Sequence, residues 1–146
     1  MTTVTVETHI NASPDAVFAA VSDIETMPRI NPAVVRIEFL TEQHQGVGTR
    51  FRETRQMNGK DHHFELEVQG YDPAARIIRY VTDTHGTIWD TTVTVSAASE
   101  GTSVRFAMAC IGSTWFKRMM NVLMQGLFRR GMVEHTEALK SYCESL

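Results

Sequence analysis

Residues 102 to 128 read TSVRFAMACIGSTWFKRMMNVLMQGLF. The period of the apolar residues changes inside this stretch. Val104, Phe106, Met108 and Cys110 alternate with their neighbours, the period-two pattern of a half-buried strand. Ser113 or Thr114 then offers a helix N-cap. Of the fourteen residues from Trp115 to Phe128, nine are large and apolar, three of them Met, and none is Pro. A stripe spaced by three and four runs through Phe116, Met120, Met124, Leu127 or Phe128, Gly131 or Met132, His135, Leu139 and Tyr142. It predicts a helix reaching about residue 143. A helix this apolar needs a partner surface, and the rest of the chain supplies a sheet.

Upstream, Val4, Val6 and Ile10 mark a first strand. In NASPDAVFAAVSD (11–23), Ser13 is a good N-cap, Pro14 suits the first helical position and Asp15 favours the positive end of the helix dipole. Val17, Phe18 and Val21 form the apolar stripe of a short helix. Met27-Pro28 and Asn31-Pro32 are read as ending the helical region. From residue 33 to 111 the chain is strand-like. Turn signals divide it at Gly46-Val47-Gly48, Asn58-Gly59, Asp72-Pro73, His85-Gly86 and Ser99-Glu100-Gly101, and Asn58-Gly59 is a strong hairpin signal. Six strands with short connections make an antiparallel meander. With the first strand, the expectation is α+β: about seven curled strands wrapped on one long C-terminal helix, with one or two short helices after strand 1.

The 146 residues suit one domain, 1–146, with apolar residues at 42% and charged residues at 21%. The net charge of −3 gives no general affinity for nucleic acid or anionic membranes. Cys110 and Cys143 lack metal or redox spacing and read as free thiols of a reducing compartment. MTTVTVETHI carries no basic flank or hydrophobic signal core, so a cytoplasmic protein is expected. No apolar run suits stable membrane insertion, and Lys117, Arg118, Arg129 and Arg130 bracket the greasy helix. The oligomeric expectation is a monomer or homodimer.

Alternation assigns side chains to the face under the helix. Phe64, Leu66 and Val68 share one side of their strand. Trp89, Thr91, Val93 and Val95 line up, as do Val104, Phe106, Met108 and Cys110. Phe51 and Met57 point inward, which puts Glu53 and Arg55 on the same face. Ile78, Tyr80, Thr82 and Thr84 are the inward set of another strand. A ligand cavity here would be lined by Phe51, Phe64, Leu66, Tyr80, Trp89, Thr91, Phe106 and Met108 from the sheet, and by Met120, Met124 and Leu127 from the helix. Flexible Met either fills gaps in a core or adapts to variable apolar guests.

The order of elements, with INASPDAVFAAVSDIETMPRINPAV (10–34), GVGTRFRE (46–53), TIWDTTVTV (87–95), EGTSVRFAM (100–108) and EALKSYCE (137–144), resembles the START-like, or SRPBCC, superfamily. The resemblance is in particular to its polyketide cyclase/dehydrase-like branch, and it covers essentially the whole chain. It implies a helix-grip fold with a deep apolar cavity between sheet and long helix. It also implies hydrophobic ligands: lipids, polyketides, sterol-like or aromatic molecules. The superfamily includes carriers, receptors, cyclases and chaperone activators, so fold does not fix function.

The candidates for acid–base chemistry are Glu53, Arg55 and Tyr80, with His62 or His63 and His135 behind them. An inward Arg would polarise a carbonyl, and a carboxylate would take an α-proton. The simpler placement of Glu53 and Arg55 is in solvent at the cavity mouth, and the simpler role of His135 is a core histidine. No His, Cys, Asp or Glu spacing suggests a metal site, and no cofactor is implied. GVGTR lacks the lysine and following helix of a phosphate loop. Three functions follow: a binder of a small hydrophobic molecule, a cyclase, dehydratase or aromatase, or a protein-interaction module.

Overall fold

The computed structural model describes residues 1–146. In chain order the elements are β1 (Thr2–Ile10), α1 (Pro14–Ser22), a 3-10 turn (Ile24–Thr26), α2 (Met27–Ile30), β2 (Val34–Phe39), β3 (Arg50–Met57), β4 (Lys60–Asp72), β5 (Ile77–Thr84), β6 (Thr87–Ala97), β7 (Thr102–Gly112), α3 (Trp115–Leu123) and α4 (Gln125–Glu144). The strands form one antiparallel sheet in the order β1-β7-β6-β5-β4-β3-β2. The meander from β2 to β7 closes with β1 alongside β7, Thr2 opposite Cys110 and Ile10 opposite Thr102.

Local chemistry explains the elements. Ser13 caps α1, its hydroxyl accepting the Ala16 N–H at 3.2 Å. The β3–β4 and β5–β6 turns hold paired left-handed residues: Asn58 and Gly59 at φ 54° and 74°, His85 and Gly86 at 51° and 83°. Such pairs match the twist of the strands they join. Pro28 does not end the helical region. It lies in the first turn of α2, where its missing N–H costs nothing. The chain turns instead at Asn31, whose side-chain carbonyl accepts the Ala33 N–H at 3.1 Å.

The C-terminal helix is not continuous. It breaks at Met124, whose ψ of 6° lies outside the helical region. α4 buries Met132, Thr136, Leu139 and Cys143 and packs on β1, α1 and α2. Its last turns cover a dry core of Ile10, Val17, Ile78, Val93, Val95 and Val104. The short helix α3 packs on β7 and β1. Its start presses so closely on Gly112 that a Cβ there would stand 2.8 Å from the Arg118 nitrogen.

Candidate functional site

Register fixes which side chains meet the helices, because residues directly opposite in an antiparallel sheet point to the same side. Phe51 faces Leu66, Glu53 faces Phe64 and Arg55 faces His62. Val68 faces Tyr80, which faces Thr91, which faces Met108. Thr82 faces Trp89, and Val93 faces Phe106. The eight sheet residues singled out by alternation therefore share one face.

Burial along that face is graded. Val68, Ile78, Tyr80, Val93, Val95, Val104 and Phe106 are buried. Further along the same strands, Phe64, Leu66, Thr82, Trp89, Thr91 and Met108 are only half-buried. Met57, at the strand end, is exposed. At this end the helices leave the sheet partly open. Phe128 of α4 packs edge-on against Trp89 with centroids 4.8 Å apart.

The helix side of the opening differs from the sequence reading. Met120, Met124 and Leu127 are exposed, Leu127 by 59%, and Phe128 takes the inward position. The phase of α3 is set by polar anchors. The Thr114 hydroxyl accepts the Lys117 N–H at 3.2 Å. Lys117 Nζ donates to the His85 carbonyl, and Arg118 Nε donates to the Gly112 carbonyl at 3.0 Å. Asn121, which the sequence reading passed over, is the residue α3 buries. Its one advance signal was being the lone polar residue in MMNVLM (119–124).

A charge pair lies on this same face. The Glu53 side chain is 5% exposed, not in solvent, and its Oε1 accepts from Arg55 Nε at 2.5 Å. Arg55 is about one-third exposed and links the pair to the open end. Tyr80 packs edge-on against Phe51, and its hydroxyl donates to the Val21 carbonyl at 2.9 Å. Burial, and then the nearby Glu53 carboxylate, push the phenol well above its ordinary range. Tyr80 is thus a protonated strut between β5 and α1.

His135 of α4 packs edge-on against Phe106 at 4.8 Å. Its ring keeps some exposed surface, but Nε2 is buried without a hydrogen-bond partner. Burial, reinforced by Arg55, lowers its pKa to about 3, so the ring is neutral at pH 7. Asn121 Nδ2 is likewise buried without a partner. Burial raises the Cys110 thiol to about 11, which keeps it protonated and unreactive. His62 and His63 are exposed, and His63 Nδ1 lies 2.9 Å from the Thr54 hydroxyl. No three His, Cys, Asp or Glu side chains gather as a metal site would require.

Two depressions have volumes of about 490 and 480 Å³. The first takes Phe64 and Thr84 together with Arg52, His63, Glu65, Asp83 and His85, and the second is lined by Ser22, Asp23, Glu25, Phe39 and His44; neither reaches Trp89, Thr91 or Met108. Both are mainly polar.

Residues 1–144 match the family described as polyketide cyclase / dehydrase and lipid transport. The chain belongs to this family. No curated protein matches it. Among solved structures it is similar to TTHA0849 from Thermus thermophilus, at 20% identity and a TM-score of 0.81, over 99% of this chain and 98% of that one. It is also similar to a START superfamily protein from Mycobacterium smegmatis, at 16% identity and 0.77, over 98% and 97%. A third is the di-domain ARO/CYC BexL from the BE-7585A biosynthetic pathway, at 22% identity and 0.75; the match takes in 97% of this chain and 46% of that one. These likenesses establish the START-like helix-grip fold of the family member.

Proposed function

We propose that residues 1–146 act as one START-like domain that binds a small hydrophobic molecule, lipid-, polyketide- or aromatic-like, between the sheet and the C-terminal helices. The observation that carries this reading is the half-buried state of Phe64, Leu66, Trp89, Thr91 and Met108, all on the face that should be driest. Apolar side chains left partly open beneath helices form a surface that a guest would cover. His135 Nε2 and Arg55 supply polar contacts for an oxygen at one end of the guest. An unpartnered buried nitrogen costs about 1–3 kcal/mol, which a ligand hydrogen bond would offset.

The test fills the space. Thr91→Trp should abolish displacement of a bound fluorescent apolar dye by fatty acids or aromatic polyketides, while the fold survives. Unchanged displacement would place the guest elsewhere.

A second reading is catalytic. Its support is the inward Glu53 carboxylate held against Arg55. In a cyclase- or dehydratase-type reaction, Glu53 would take an α-proton and Arg55 would stabilise the enolate oxygen. Tyr80, whose hydroxyl is already committed to Val21, would only position the pair. Glu53→Gln separates the readings: binding is retained under both, and turnover of a poly-ketone substrate is lost only under the second.

A further inference from the structure

Helix α3 turns its polar side to the protein. Lys117 and Arg118 reach backbone carbonyls of the sheet end, and Asn121 is buried. The opposite side carries Trp115, Phe116, Met119, Val122 and Leu123, all exposed, Trp115 by 75% and Leu123 by 72%. Leu127 continues this surface past the break at Met124. A contiguous apolar surface of this kind marks an interaction site.

Charge identifies what it meets. Between Gly101 and Val133 lie five of the chain's fourteen basic residues and none of its seventeen acidic ones. The modest net charge conceals this segregation. Arg129 and Arg130 follow the patch in the first turns of α4, while Lys117 and Arg118 lie on the protein-facing side of α3. Arg129 bonds the Thr5 carbonyl, so its charge is not neutralised. Only Arg130 has a carboxylate near it, Glu134 at 3.9 Å. Two-fold pairing with a second copy would set this surface against itself and oppose like charges. An anionic bilayer satisfies both features, with acyl chains for Trp115, Phe116 and Leu123 and acidic headgroups for Arg129 and Arg130.

We propose that the outer face of α3, with the first turn of α4, docks peripherally on membranes rich in acidic lipids. No helix is long and apolar enough to cross the bilayer. The docking does not depend on a ligand in the sheet–helix opening. It would, however, bring that opening to the lipid, since Phe128 follows Leu127 and covers Trp89.

The experiment is co-sedimentation of the whole chain with phosphatidylcholine vesicles, with and without about a third phosphatidylglycerol. Binding should be at least about tenfold stronger to the anionic vesicles and should weaken with salt. Trp115→Ser with Leu123→Ser should lose about tenfold or more, with the melting temperature unchanged because both side chains are exposed. Arg129→Glu with Arg130→Glu should lose the preference for anionic lipid. The proposal is overturned by absence of binding to anionic vesicles, or by binding that survives the Trp115/Leu123 pair. A dimer in light scattering that the same pair dissociates would also overturn it, assigning the face to self-association.

Discussion

The two ends of the sheet–helix interior are built from the same strands yet packed differently. At one end α1 and the last turns of α4 press on Ile78, Val93, Val95 and Val104, all buried. At the other, Phe64, Trp89, Thr91 and Met108 look toward helices that do not fully cover them. The packed end uses β-branched side chains in close contact. The open end mixes aromatics, Met, a charge pair and a neutral histidine. Under the proposed binding role the two ends divide the labour: one holds the fold together, and the other would be shaped by a guest.

Substitutions sharpen that contrast. The largest expected effect is at the packed end. Leu139→Ala should cost about 3 kcal/mol in urea unfolding, because the fully buried side chain leaves a cavity. Met108→Ala, half-buried at the open end, should cost about 1 kcal/mol. Equal losses would erase the distinction.

Breaking the polar pair comes next. Glu53→Leu leaves Arg55 without its carboxylate and should cost about 2 kcal/mol, while Glu53→Leu with Arg55→Leu should recover most of it. Additive losses in a double-mutant cycle would show the two residues to be independent.

Acid should act through His135. Its folded pKa of about 3 lies below the ordinary 6.5, so the unfolded chain binds the extra proton. Stability is therefore lost as pH falls from about 6.5 toward 3, by up to about 2 kcal/mol at pH 5. His135→Phe should flatten that part of the pH profile of the urea midpoint. A profile unchanged by the substitution would mean that the ring is solvated.

The smallest effect belongs to the packed end again. Ser13→Ala removes the α1 cap and should cost about 1 kcal/mol in thermal unfolding, with no change in ligand affinity.

Much of this was legible in the residues. Alternation in β4, β6 and β7 assigned the inward face because one side of a strand must be apolar when helices cover it. Asn58-Gly59 set a hairpin because few residues accept paired left-handed conformations. The site was less legible. The stripe through Met120, Met124 and Leu127 has helical spacing, but spacing cannot say which way a helix is rolled. Here the roll is decided by Lys117, Arg118 and Asn121 finding partners or burial against the sheet end. Glu53 was readable as inward from its register. Its burial depends on Arg55 two residues on, a pairing that alternation permits but does not require.

The central claim is that the open end holds a hydrophobic guest. Native mass spectrometry of the purified chain, followed by denaturing extraction, tests it most directly. The prediction is a hydrophobic mass that leaves on denaturation and is missing from Thr91→Trp. A clean apo mass, with no thermal shift from fatty acids, sterols or aromatic polyketides, would contradict it.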